Sequence, residues 1–366
     1  MPRVAVIYLL YNGRQYLADC FASLEAMNYP AKDAEIFVID NGSSDDGLIF
    51  FKNEILPKSG TKLSKINLIE NKENLGFAEG NNIGMRLALE AGFDYIYLLN
   101  QDTEVDPNFI FETVKLAEEA KSAGSIQSLI LLHDNKTTVN SFGNAIHFLG
   151  FGYARGYGMN LSDVEKLIAE KISFEKNFKI AYGSGAGVLY RASALSEMGL
   201  FDKELFLYHE DLDLGWRLRL AGYENILAPR SWIYHKYEFS RSIKKYYWME
   251  RNRFMVMFKL YKLPTLLLLA PALLAAEAGL LLFSLRSGWF EEKIKGYKYF
   301  LSLNNWKNLL KARQMAQKAR KKSDCEIVDL FTPAILFQDF KNPFVLYFVN
   351  PLLILYWVIA RAFIFW

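Results

Sequence analysis

Three acidic stretches carry the residue types that chemistry on a phosphate or a sugar requires. Asp102 closes Asn100-Gln101-Asp102, directly after the apolar run Tyr95–Leu99. Asp40 occupies the same point after Glu35–Ile39, and Glu210, Asp211 and Asp213 crowd beside His209. A carboxylate just beyond a buried strand lies where open α/β sheets bind ligands. At that point Asp40 either accepts from the base or ribose of a nucleotide or merely supports a turn. Carboxylates in a first helical turn are favoured by the helix dipole, yet three acids and a histidine exceed what capping requires. One of them, buried, has the chemistry of a general base, with a neighbour holding a substrate hydroxyl or a loop. His235 follows the strand-like Ser231–Tyr234; a lone histidine there is more often structural than a metal ligand.

These groups need a scaffold, and the apolar periodicity supplies one. Val4–Leu10, Glu35–Ile39, Ile66–Ile69 and Tyr95–Leu99 read as strands, most of them covered on both faces. Between them fall helical patterns to about Met27, with Asn12 as a cap, and from Gly76 to Ala91; another follows from Asp106 or Pro107 to about Lys121. Strands alternating with helices predict a parallel sheet with right-handed crossovers. The Gly- and Asn-rich segment Asn74–Gly84 predicts close backbone approach at a helix head, with exposed amides suited to a negatively charged or hydroxylated ligand. The dinucleotide fingerprint Gly-x-Gly-x-x-Gly follows none of these strands, which argues against NAD or FAD. Gly183, Gly185 and Gly187 admit either a ligand near the backbone or strands that cross closely.

The 366 residues exceed one compact core, so a domain of roughly 250 residues plus an appendage is expected. A net charge of +3, from 43 basic and 40 acidic residues, gives no case for nucleic acid as a partner. Cys20 and Cys325 are the two cysteines, which fits a reducing compartment and no disulfide framework. Strand-like sequence begins at Val4 with no signal peptide ahead of it.

In order and spacing, Tyr11-Asn12, Val38–Asp45, Asn74–Gly84, Leu99–Asp102, Gly183–Arg191 and His209–Arg217 resemble the family 2 glycosyltransferases of GT-A fold, in particular rhamnosyltransferases and galactofuranosyltransferases. The resemblance covers about residues 3 to 255. It implies an α/β, Rossmann-like, mostly parallel sheet flanked by helices, with a helical membrane-associated region after it. It further implies an inverting transfer from a nucleotide sugar. Its donor site would comprise Leu10, Tyr11, Asn12, Asp40, Asn74, Gly76, Asn81, Asn100 and Gln101, with Asp40 recognising the nucleoside. Asp102 would bind a divalent cation, Mg²⁺ or Mn²⁺. Asn100 stands where a fuller motif carries Asp, and His235 matches the position that supplies a further ligand. Asp211 would be the general base, with Glu210 and Asp213 tuning it or holding the acceptor; Trp216 either faces the sugar or packs in the core. Processive synthesis is disfavoured, because Gly215-Trp216-Arg217 stands without Gln-x-x-Arg-Trp.

Residues 1–260 are thus expected to form the catalytic domain and 261–366 the membrane-associating part. Pro264–Leu285 is apolar save Glu277, and Pro343–Trp366 is a second such run. Residues 286–322 between them are basic, with Glu291 and Glu292 as their acids. A single crossing would place that section outside, against the positive-inside tendency. The first run is therefore expected to turn back near Pro271 or Ala275–Gly279, or to lie in the interface at the cytoplasmic face of the cell membrane. Dimerisation helices, giving a homo-oligomer, or a hydrophobic core are the alternative uses of these runs. Arg251 and Arg253, just before them, are candidates for a lipid phosphate. The expected acceptor is a polyprenyl-linked glycan, and the donor a dTDP- or UDP-sugar, with a leaning to rhamnose. A polyprenyl-phosphate sugar synthase and a catalytically silent membrane scaffold are the competing readings.

Overall fold

The computed structural model describes residues 1–174, 177–237, 243–336 and 343–366. The chain starts with β1 (Val4–Leu10), α1 (Arg14–Glu25), β2 (Ala34–Asp40), the short α2 (Gly47–Phe50), β3 (Lys65–Glu70), α3 (Gly76–Glu90) and β4 (Tyr95–Asn100). β1 to β4 run parallel in the order β3-β2-β1-β4, with Leu10 opposite Asp40 and Leu9 opposite Asn100, so their carboxyl ends are level. All of β1 is buried, which accounts for a run without polar alternation. On one face Phe21 of α1 meets Tyr8 and Phe51 edge-on at 5.0 and 5.3 Å. On the other, α3 lies close because Gly84 has no side chain; a Cβ there would stand 2.7 Å from Ile7.

Then come β5 (Thr103–Val105), α4 (Phe109–Glu119), β6 (Ala123–Leu132), β7 (Val139–Ser141), β8 (Asn144–His147), β9 (Gly152–Ala154), α5 (Leu161–Phe174), β10 (Gly187–Arg191), α6 (Ala192–Met198), α7 (Glu210–Leu220) and β11 (Glu224–His235). Here the expected parallel pattern changes. β10 inserts antiparallel between β4 and β6, β11 pairs parallel with β6, and β5 pairs antiparallel with β11. At Gly187 the small residue serves close packing, since a Cβ would collide with Ile233.

The remaining elements are α8 (Lys245–Leu260), α9 (Leu263–Arg286), α10 (Phe290–Tyr299), α11 (Leu303–Lys318), α12 (Asp324–Ile327), β12 (Phe331–Thr332) and α13 (Asn350–Ala362). β12 joins β8 and β9 in a small second sheet, so the last third of the chain is built into the body. Trp216 belongs to that shared core, edge-on to Tyr261 and Phe331 at 4.7 Å each, and does not face a sugar. The turn expected at Pro271 is absent: α9 is one helix of 24 residues. Pro271 sits inside it on the exposed side, and nearby the Tyr356 hydroxyl donates to the Leu268 carbonyl.

Glu277, in the second half of that helix, accounts for one of the two arginines expected at the membrane surface. Arg253 is fully buried and paired with Glu250 and Glu277, and Lys293 of α10 closes the cluster on the same two acids. Arg251 is also buried and donates to the Glu204 and Leu205 carbonyls. Neither side chain is free for a lipid phosphate. Removing one partner from such a cluster strands a buried charge, typically at about 3–5 kcal/mol. Glu277→Leu is therefore expected to lower the thermal unfolding midpoint in detergent; an unchanged midpoint would show that the cluster adds nothing to stability.

Candidate active site

The carboxyl ends of β1, β2 and β4 are stitched to one another. Gln101 accepts from the Tyr11 amide at 2.9 Å and donates to its carbonyl at 3.1 Å. Asn12, at φ 47°, accepts from the Ser44 amide at 2.8 Å instead of capping α1. Asparagine tolerates that left-handed conformation. Asp40 is buried, with the Ser43 amide 3.4 Å from both of its oxygens. Leu10, Tyr11, Asn12, Asp40, Asn100 and Gln101 thus gather at one edge.

The head of α3 differs from expectation. Three of the amides there are occupied: Leu75 N–H donates to Asn41, Gly76 N–H to Asn74, and Ala78 N–H to the Phe206 carbonyl. Asn81 donates to Phe77 in its own helix. The close approach does occur, since a Cβ on Gly76, at φ 81°, would lie 2.5 Å from Phe206. Asn41, a residue the sequence did not single out, organises this region. It donates to Asn74 and the Gly76 carbonyl and accepts from Asn71 and Leu75. A buried asparagine beside a more conspicuous aspartate carries no distinguishing signal of its own.

Asp211 reaches the same edge from the other side. Its carboxylate accepts from Gly185 N–H at 3.2 Å and Leu212 N–H at 2.7 Å, and the adjoining Ala186 carbonyl accepts from Asn100 N–H at 3.2 Å. Burial pushes Asp211 up to about 6 against the lowering pull of those amides. Burial, reinforced by the Asp211 charge, holds Glu210 well above the usual carboxylate range. Glu210 Oε2 has no hydrogen-bond partner among the described residues. Burial thus raises both carboxyls of a pair that titrates as a unit. Asp213 is fully buried and ion-paired to Arg217 at 2.8 Å and Lys259 at 2.6 Å, so it braces α7.

The segment delivering Asp211 is strained. Phe206 (φ 60°, ψ −59°) sits in a tight turn closed by Leu207 N–H to the Leu205 carbonyl at 2.6 Å, and Tyr208 and His209 are also left-handed. Such backbone persists only where its surroundings over-determine it. Asn252 of α8 does this, donating to the carbonyls of Leu205, Leu207 and Tyr208 at 2.8, 3.0 and 2.7 Å. Burial pushes His209 down to about 4, and as a neutral ring it donates Nε2–H to the Gly150 carbonyl at 3.2 Å.

Asp102 and His235 meet where β5 and β11 pair, with Oδ1 3.2 Å from Nε2. His235 Nδ1 lies 3.2 Å from Asn140 Oδ1. With Nδ1–H donating there, the Nε2 lone pair faces the carboxylate, an arrangement suited to a cation between them. The described residues contain no cluster of three or more His, Cys, Asp or Glu able to hold a metal. Asp102 and His235 together offer one oxygen and one nitrogen donor of the kinds a divalent cation accepts.

The model of glycosyl transferase family 2 matches residues 5–199, the span that builds most of this edge. The chain belongs to glycosyl transferase family 2. This glycosyltransferase is 24% identical over 246 residues, 63% of its own length and 75% of the relative's, to the N-acetylglucosaminyl-diphospho-decaprenol L-rhamnosyltransferase of Mycobacterium tuberculosis. Its fold is similar to that of GalNAc-T7, solved with UDP, GalNAc and Mn²⁺, at a TM-score of 0.55 and 18% identity. That match covers 71% of this glycosyltransferase and 48% of GalNAc-T7. The mannosyltransferase PcManGT of Pyrobaculum calidifontis, solved with GDP-Man and Mn²⁺, aligns at 0.52 and 15% identity over 87% and 86% of the two chains. The GT-A-like fold expected from the motifs is thus present, and membership carries nucleotide-sugar transferase activity in general terms.

Proposed function

We propose that the protein transfers a sugar, with rhamnose favoured, from a nucleotide-sugar donor to a hydroxyl of a polyprenyl-linked glycan at the cytoplasmic face of the membrane, with inversion. The observation that carries this reading is Asp211: a carboxylate held by two amides, raised by burial toward neutrality, beside the strand ends that match the donor motifs. In the ionised form it takes the proton of the acceptor hydroxyl. The acceptor oxygen then bonds to the anomeric carbon as the bond to the diphosphate breaks, and the departing nucleoside diphosphate keeps the electron pair. Asp40 and the Leu10–Asn12 loop bind the nucleoside. Asp102 and His235 would hold a divalent cation, whose chemistry here is Lewis-acid stabilisation of the leaving diphosphate. The rhamnosyltransferase relative supports the choice of sugar and acceptor, and the apolar α9 and α13 support delivery of a lipid-linked acceptor.

The test is release of nucleoside diphosphate from a panel of dTDP-, UDP- and GDP-sugars with membrane lipid extract, with Mg²⁺, Mn²⁺ or EDTA. Lipid-dependent turnover of a dTDP-sugar that EDTA abolishes is the expected result. His235→Ala is expected to weaken the response to added Mn²⁺ while leaving the fold intact by circular dichroism. Equal turnover of a lipid-free acceptor would refute the acceptor assignment, and no turnover of any donor would refute the reading as a whole.

A further inference from the structure

We propose that α9 and α13 form one lipid-immersed face of a monotopic protein, lying along an anionic leaflet, and that α9 does not cross the bilayer. This rests on membrane association and specifies its geometry. α9, and α13 taken together with the helical turn Val345–Val349 before it, are long and apolar enough to span, with 11% and 22% of their most apolar stretches buried. Their exposure is one-sided. On α9, Leu267, Leu274 and Leu282 are 75, 70 and 66% exposed, whereas Leu269 and Ala272 face the body. On α13, Leu352, Leu355 and Val358 are exposed, whereas Leu353, Trp357 and Ala360 are buried. A helix with one apolar side against protein and another apolar side open fits an interface better than a solitary span.

The tethers exclude the perpendicular arrangement. At the start of α9, Lys262 N–H and the Thr265 hydroxyl both donate to Asp324, at 2.9 and 2.5 Å. Further along, Glu277 is bound to Arg253, to Lys293 at 2.6 Å and to the Tyr297 hydroxyl at 2.5 Å. Between these points the helix advances about 20 Å at 1.5 Å per residue. That length is most of a hydrocarbon core, and at both ends of it α9 is fastened to polar groups of the body. A crossing α9 would carry α10 with it, and α10 exposes Glu291, Lys295 and Lys298. Charges at membrane depth without protein or water around them are strongly disfavoured. Charge selects the occupant of the open face. Arg286, Lys298, Lys307, Lys311 and Lys318 are exposed in 286–322, where Glu291 is the exposed acid. That balance complements anionic headgroups and would oppose a second copy presenting the same section.

The test uses the full chain with Cys325→Ser, leaving Cys20 buried, and either Lys262→Cys or Ser287→Cys, at the two ends of α9. Right-side-out and inverted membrane vesicles are treated with a membrane-impermeant maleimide. In-plane seating predicts that both positions react from the same side only; reaction from opposite sides overturns it. In parallel, the purified chain is floated with phosphatidylcholine vesicles with and without phosphatidylglycerol. Flotation that requires phosphatidylglycerol, and that Leu267→Glu with Leu274→Glu abolishes, supports the anionic leaflet. No flotation together with a discrete dimer would overturn membrane association itself, a failure separate from flotation combined with labelling from opposite sides.

Discussion

Asp211→Asn is expected to lower kcat by about 10³-fold, within the range for loss of a positioned general base, while donor affinity stays unchanged. Asparagine keeps the size of the group and an oxygen to accept from Gly185 or Leu212, and loses the ability to take a proton. The wild-type rate carries its own signature. Burial raises the Asp211 carboxyl to about 6, so the base is ionised above that pH and protonated below it. The rate should therefore fall as the pH drops through about 6 and level off above it. Glu210 beside it is also raised by burial, and the two acids titrate as a unit, so the limb belongs to the pair. Pre-steady-state transfer across a pH series reads this directly. Full activity in the Asn variant would shift weight to a phosphate acceptor, which has no proton to lose, as in a polyprenyl-phosphate sugar synthase.

Asn252→Ala should produce the second largest loss. Its amide serves three carbonyls of a segment with three left-handed residues, and no other described side chain serves all three. The Leu205 carbonyl keeps the Leu207 amide and Arg251, whereas the Leu207 and Tyr208 carbonyls lose this donor; a buried carbonyl left unpaired costs about 1–3 kcal/mol before relaxation, enough to let the strained turn open. Displacement of a reacting group by about 1 Å costs on the order of 10²-fold in rate. The expected outcome is a kcat lower by that order, with the KM for the donor unchanged. The acid limb should also move toward the ordinary carboxylate range, because water reaches Asp211 once the turn opens. Asn252 would then be a positioning residue, acting through the loop. If its role were structural alone, active-site titration would find less folded enzyme with the same kcat and the same limb.

What the sequence revealed follows the range of the interactions involved. β1, β2 and β4 were legible because both faces of a parallel strand are covered and every residue shows it, as in Val4–Leu10. Asp40, Asp102 and the acids of α7 were legible because charge at a strand end or in a first turn stands out locally. The insertion of β10 between β4 and β6 was not, since strand order is set by pairings between distant segments. Asn252 was equally silent: its partners are carbonyls 44 to 47 residues upstream, and any residue type offers a carbonyl. Arg253 misled because a charge next to an apolar run suggests a headgroup; the Glu277 that buries it lies within that run, 24 residues on. Pro271 suggested a turn by its helix-breaking chemistry, yet α9 continues through it as one helix.

The pairing of β12 with β8 also has a consequence for how the enzyme comes into being. Trp216, on the helix that bears Asp211, is walled in by Phe331, and His147 is satisfied by the Pro333 carbonyl across 186 residues of chain. Closing so long a loop costs entropy before any contact repays it, and contacts of this separation form slowly. During synthesis the nucleotide half can collapse early from its neighbouring strands, while the helix with the base waits for the tail to emerge. The helix that bears Asp211 therefore completes its packing only after the chain has been made past Phe331.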